Sequence, residues 1–143
     1  LALTGKLDRN ISSHWPDPVL VFEPDPDDGP VLVVKRYRVA ESNQQAFLQA
    51  MELVGRSRRR TGAVRWDVFR DGDSADGFTE VFALRSWGEH LRQHSDRLTG
   101  ADAQFEQRAL DLVQGEPTVE HLLPPTVRSS PPAGANQSAT HEG

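Results

Sequence analysis

From Val31 to Val39 the chain is rich in Val, and its first four residues are apolar on both faces. That pattern predicts a central strand, covered on either side. A helical pattern follows, in which Phe47, Ala50, Met51 and Val54 recur as one apolar stripe. Ser42 and Gln45 stand ahead of it at capping-box spacing, where each side chain satisfies a free backbone N–H. Arg56, Arg58, Arg59 and Arg60 crowd the C-terminal end, where cations suit the helix dipole, and Gly62 is the expected stop. Residues 63–70 alternate, with Val64, Trp66 and Val68 on one face; residues 78–85 alternate again, with Phe78, Glu80, Phe82 and Leu84 together. The Gly- and Asp-containing stretch 71–77 between them makes the pair a hairpin. Ser86 with Glu89 is a second capping box, and Trp87, Leu91, His94 and Leu98 share a helix face. Gly100 interrupts, Asp102 is placed to cap a further piece carrying Phe105, Ala109, Leu112 and Val113, and Gly115 and Pro117 end it. Residues 118–123 form the last strand, with Val119, His121 and Leu123 on one face.

The order strand, helix, strand, strand, helix, strand predicts an α+β domain of the ferredoxin-like β-α-β-β-α-β type, with both helices on one face of an antiparallel sheet. The expected domain runs from 31 to 123. Residues 1–30, punctuated by Pro16, Pro18, Pro24, Pro26 and Pro30, are expected to be an extended linker, with Val19–Phe22 as one apolar patch able to add an edge strand. Residues 124–143 have the composition of a disordered tail. Because the first strand is apolar on both sides, the sheet face away from the helices needs a cover. A second copy packed sheet to sheet is the simplest one, so a homodimer is expected.

Composition narrows the function classes. The 143 residues carry a formal net charge of -5, against the basic footprint that general nucleic-acid binding requires. There is no cysteine, so disulfides, thiolate metal sites and cysteine nucleophiles are excluded. No apolar run approaches the roughly 18 residues that span a bilayer, and no signal peptide is expected in these residues. The first residue is Leu, which suggests a piece of a longer protein. A Gly-rich phosphate loop, a nucleophile elbow and an HExxH helix are all missing.

Several stretches carry a family likeness: His14-Trp15-Pro16-Asp17-Pro18, Gly29-Pro30-Val31-Leu32-Val33, Arg58-Arg59-Arg60-Thr61-Gly62-Ala63 before Arg65-Trp66, Phe69-Arg70-Asp71, Glu80-Val81-Phe82, and Ser86-Trp87-Gly88-Glu89-His90-Leu91-Arg92-Gln93-His94. Together they resemble the C-terminal extension of bacterial major facilitator transporters of the enterobactin-exporter-like group. That extension is similar to the antibiotic biosynthesis monooxygenase fold, a dimeric α/β barrel. The resemblance implies transmembrane helices upstream of Leu1, a domain on the cytoplasmic side of the membrane, and a linker over residues 1–30.

It also implies where chemistry would sit. In monooxygenases of this fold a pocket lies between sheet and helices, and an Asn, a Trp and a His or Arg work there. Trp66, Trp87 and His94 are the catalytic candidates here, and Trp66, Phe82, Trp87, His90 and His94 are the candidates for holding a small apolar or aromatic ligand. The strand 31–39 has no Asn to orient a substrate, so the catalytic set departs from the pattern. The leading expectation is therefore a non-enzymatic dimerising or ligand-sensing domain without a cofactor. A cofactor-free oxygenase and a heme or metal binder are the alternatives. His90 and His94 stand at i and i+4, with His121 as the remote third ligand that a metal site wants; no metal residue is assigned from this pair alone. The arginines before Gly62 read as a solvated helix end, with anionic lipid as a second partner class. Arg65 and Glu80 are expected to form a cross-strand ion pair.

Overall fold

The alternating runs become strands, and their side-chain period decides what each face meets. The computed structural model describes residues 20–126 and 129–130. Most of the expected N-terminal linker and of the expected C-terminal tail lies outside these residues, as does part of the Val19–Phe22 patch. Strands β2 (Val31–Arg38), β3 (Arg65–Arg70), β4 (Gly77–Leu84) and β5 (Thr118–Leu122) form one antiparallel sheet in the order β3-β4-β2-β5. Helix α1 (Gln44–Arg60) follows β2; α2 (Trp87–Arg92), a π-helical turn (Gln93–Arg97) and α3 (Gly100–Leu110) lie between β4 and β5. The fold is ferredoxin-like, with its second helical region broken into α2, the π-helical turn and α3, the last being the further piece that the pattern placed after Gly100. A short strand β1 (Glu23–Pro24) pairs with β6 (Ser129–Ser130) in a separate two-stranded sheet.

Cα register divides the helix-facing side of the sheet into rows. Trp66, Phe82, Val33 and His121 form one row; Val68, Glu80, Lys35 and Val119 form the next; Arg70, Phe78 and Tyr37 form the third. The first and third rows seed separate apolar clusters. Val33, Ala63, Phe82 and Leu84 make one, and Tyr37, Val39, Phe47, Met51, Val54, Phe78 and Ala109 make the other. The middle row, which carries Lys35 and Glu80, runs between them.

The helix ends differ from the pattern in instructive ways. Glu41–Asn43 is a short 3-10 turn, and Asn43 caps α1 without a side-chain bond. The Ser42–Gln45 box therefore does not form. Instead the Gln44 amide donates to the carbonyls of Val39 and Ala75, tying the helix start to the hairpin. Ser86 does cap α2 by accepting from the Glu89 N–H, but the Glu89 carboxylate takes Arg92 and Arg97 instead of closing the box. Asp102 is not the cap of α3. Thr99 is, with Asp102 as the third helical residue of a full capping box. The inward face of α2 also differs from the predicted one: Trp87 and His90 are buried while Leu91 is 39% exposed.

Candidate functional site

Two side-chain clusters occupy the helix-facing side of the sheet, and they divide the predicted site residues between them.

The first is a lattice of ion pairs. Arg58 continues the stripe of Phe47, Met51 and Val54 by one more turn, so it points inward and is 3% exposed. Its Nε and Nη2 donate to the two Glu80 oxygens at 2.8 and 3.2 Å, and Nη2 also donates to Glu106 at 3.2 Å. Lys35 donates to the same Glu106 oxygen at 2.8 Å. Tyr37 Oη and Trp66 Nε1 complete the shell of Glu80, at 2.7 and 2.9 Å. The Arg58 guanidinium lies 4.7 Å from the Phe82 ring centroid, a cation–π contact. Two cations and two anions thus balance in the interior. Burial alone would push both carboxyls up. The positive charge of Arg58 at Glu80, and of Lys35 and Arg58 at Glu106, outweighs it, so Glu80 lies below the usual range and Glu106 falls to about 2. Burial and the adjacent Glu80 carboxylate hold the Tyr37 hydroxyl protonated.

Two sequence expectations are corrected here. The arginines before Gly62 are a solvated helix end only in part, for Arg56, Arg59 and Arg60 are exposed. Arg58 is buried in the lattice, Arg60 pairs with Asp102, and Arg59 lies over the Trp66 ring and donates to its backbone carbonyl. Nor do Arg65 and Glu80 pair. Arg65 sits opposite Ala83 on the other face of the sheet and bonds Asp67.

Trp66 is held from behind by Gly55. A Cβ on that glycine would stand 2.7 Å from the indole ring. Gly55→Ala is therefore expected to move the indole off Glu80. Overpacking of this kind costs about 1–3 kcal/mol, against which the better helix propensity of Ala returns about 1 kcal/mol. Urea denaturation should show a net loss, with red-shifted Trp66 emission; an unchanged spectrum would mean that the indole does not depend on this approach.

The second cluster is aromatic. Trp87 and His90 come from α2, His94 from the π-helical turn and His121 from β5. Ring centroids of His90 lie 5.4 Å from Trp87, 6.3 Å from His94 and 5.1 Å from His121, and Trp87 meets His121 edge-on at 6.2 Å. Trp87 and His90 are buried. The Nε1 of Trp87 and the Nε2 of His121 are buried without a hydrogen-bond partner among the described residues. Burial, with His121 and His94 adding to it, pushes His90 down to about 3; burial followed by His94 and Lys35 lowers His121. Gln93 locks the π-helical turn to the end of α1, donating to the Arg58 carbonyl at 3.2 Å and to Thr61 Oγ1 at 2.9 Å.

Of the catalytic candidates, Trp87 and His94 fall in this cluster, while Trp66 belongs to the lattice. Of the ligand candidates, His90 joins the aromatic cluster, and Phe82 packs under Arg58. Among the described residues, no three His, Cys, Asp or Glu side chains are arranged to hold a metal ion. An open cleft of about 400 Å³ lies elsewhere, between the β3–β4 turn and the start of β5. Its Arg36 and Arg38 are paired with Glu120 and Asp76.

These features define a ferredoxin-like domain, and solved structures named as antibiotic biosynthesis monooxygenases share its fold. Solved structures similar to it include a protein named as such a monooxygenase from Nitrosomonas europaea, with TM-score 0.57 and 14% identity over 68% of this chain and 91% of that one. A second so named, from Caulobacter crescentus CB15, has TM-score 0.57 and 16% identity over 67% and 90%. A conserved protein of unknown function from Bacteroides thetaiotaomicron has TM-score 0.56 and 18% identity over 68% and 98%. At such identities the likeness establishes the fold alone. No curated protein matches the sequence. A model of the transmembrane secretion effector family matches residues 1–129, and the chain belongs to that family, which is of the major facilitator kind. Among the described residues, no helix is long and apolar enough to cross a membrane.

Proposed function

We propose that this chain is a non-catalytic domain of a secretion transporter, positioned on the cytoplasmic side of the membrane, that pairs with a second copy through the open face of its sheet. The family match over residues 1–129 supports the transporter setting, and the enterobactin-exporter-like motifs narrow its kind. The observation that carries the non-catalytic part is the lattice. Lys35, Arg58, Glu80 and Glu106 fill the space between sheet and helices, where the resemblance implies a substrate pocket. Each lattice carboxylate is already bound by a buried cation. Small-molecule sensing, the finer part of this reading, is confined to Trp87, His90 and His94, because Trp66 and Phe82 are engaged by Glu80 and Arg58.

The open face supports pairing. Leu32 of β2, Val81 and Ala83 of β4 and Leu122 of β5 alternate outward in adjoining registers and are partly exposed, around a buried Val34. Leu122 is 48% exposed there. The Arg36–Glu120 and Arg65–Asp67 pairs flank this stripe and limit the ways in which two copies can align. Light scattering over a concentration series should give the dimer mass, and Val81→Glu, at the middle of the stripe, should give the monomer with the same fold by circular dichroism. A monomer at every concentration of the unmodified chain would overturn the pairing. Dioxygen uptake with quinol substrates would overturn the non-catalytic assignment.

A further inference from the structure

We propose that Glu23–Gly29 is a strap that completes the N-terminal end of α2, so that a displacement of the chain ahead of it is delivered to Trp87 and the aromatic cluster.

The need for it lies in the length of α2. Trp87–Arg92 has six residues, well short of the roughly 12–15 at which an isolated helix holds together in water. Its first three N–H groups have no acceptor within the helix. Each finds one outside it. The Glu89 N–H donates to Ser86 Oγ at 3.1 Å. The other two depend on the incoming chain: the Trp87 N–H donates to the Asp28 carbonyl at 2.7 Å and the Gly88 N–H to the Pro26 carbonyl at 2.9 Å.

The strap is folded so as to present those carbonyls. The Asp28 N–H donates to the Asp25 carbonyl at 2.9 Å, the Asp27 N–H to the Asp25 carboxylate at 2.9 Å and the Asp25 N–H to the Asp28 carboxylate at 3.1 Å. These bonds close a turn in which Asp28 is buried. Two glycines let the backbones meet. A Cβ on Gly29 would stand 1.9 Å from the Arg85 carbonyl oxygen, and one on Gly88 would stand 3.1 Å from the Pro26 carbonyl oxygen. Arg85 and Ser86 join β4 to α2, so the strap lies on the backbone of that junction. Further out, Glu23–Pro24 pairs with Ser129–Ser130, and the chain that leaves β5 grips the strap there. Residues 23–29 thus belong to the domain that the sequence pattern begins at 31.

From the strap the contacts run on without a break. Trp87 carries the first of the strap bonds on its N–H, and its ring meets His90 at 5.4 Å and His121 of β5 at 6.2 Å. Gln93, just past α2, is tied to the end of α1. Releasing the strap uncaps a helix too short to stand alone while its far end stays anchored, so α2 frays from the end that bears Trp87. That the chain ahead of the strap leads to a membrane-embedded unit rests on the transporter reading; the coupling of strap to cluster does not.

Hydrogen exchange of the whole 143-residue chain, in urea below the unfolding transition, tests the coupling. The amides of Asp28, Trp87 and Gly88 should open together, with one free energy and one urea dependence, while α1 stays more protected. Gly29→Ala, which drives the strap off the Arg85 carbonyl, should speed exchange at Trp87 and Gly88 about thirtyfold, the scale of two lost hydrogen bonds. It should also shift the indole N–H resonance of Trp87 while that of Trp66 holds. If the variant does not fold, the exchange of the unmodified chain decides alone. The coupling is overturned if the Asp28 amide opens while Trp87 and Gly88 stay protected, or if Gly29→Ala leaves residues 87–88 unchanged or loosens α1 to the same extent. None of these readouts involves a membrane, a dimer or dioxygen, so the strap and the transporter reading fail separately.

Discussion

Glu80→Gln should cost about 3–5 kcal/mol, because it removes one partner of a buried ion pair and leaves the other. Glu80 is completely buried and accepts from Tyr37, Trp66 and, through both oxygens, Arg58. A neutral amide matches the shape but removes the countercharge. It also presents an NH2 to a shell made entirely of donors, so one of those contacts becomes a clash between hydrogens. Arg58 would then keep its bond to Glu106 but lose the Glu80 countercharge. Against a total stability of about 5–15 kcal/mol for a domain, this is a large fraction, and the urea midpoint should drop accordingly. A loss under about 1 kcal/mol would show that water reaches the lattice and screens it. The companion variant replaces all four members, as Lys35→Met, Arg58→Met, Glu80→Leu and Glu106→Leu. It is expected to be neutral or more stable, by up to about 4 kcal/mol, since buried ion pairs rarely outweigh their own desolvation. The two results together would identify the lattice as a device that fixes how sheet and helices align, with little net stabilisation of its own.

Much of this lattice was legible in the phase of the sequence. Glu80 shares the alternation of Phe78, Phe82 and Leu84, and Lys35 that of Val31, Val33 and Tyr37. Arg58 continues the spacing of Phe47, Met51 and Val54, and Glu106 lies one helical turn from Asp102 and close to Ala109. Each is a charge at a position where the period demands an apolar residue. Reading Arg58 by its charged neighbours, as one of a run of arginines, concealed the period that buries it. The strands and their order followed from alternation and from turn chemistry, because one buried face fixes strand register. The aromatic cluster was only half legible. The spacing of His90 and His94 is local, but the contact with His121 depends on where β5 docks. The π-helical turn has no periodic signature, and Leu91, assigned to the buried face with Trp87, is exposed.

The two clusters make a common prediction for acid. His90 is lowered to about 3 and His121 is also lowered, so the unfolded chain binds protons first as pH falls below the ordinary 6.5. Stability tied to these groups is fully present above 6.5 and is lost progressively on the way down. For His90 alone the slope is about 1.4 kcal/mol per pH unit, or about 2 kcal/mol between pH 6.5 and pH 5. A second window opens below the ordinary carboxyl value of 4.5, where Glu80 is lowered and Glu106 lies at about 2. Their contribution is present above 4.5 and lost as pH falls through their folded values. Urea denaturation from pH 7.5 to about pH 2.5 should therefore show stability falling in two stages. In the quadruple lattice variant the lower stage should weaken while the upper one persists. Flat stability between pH 7 and pH 5 would mean that His90 is solvated in the folded chain, and that the imidazole cluster does not set the acid limit of the domain.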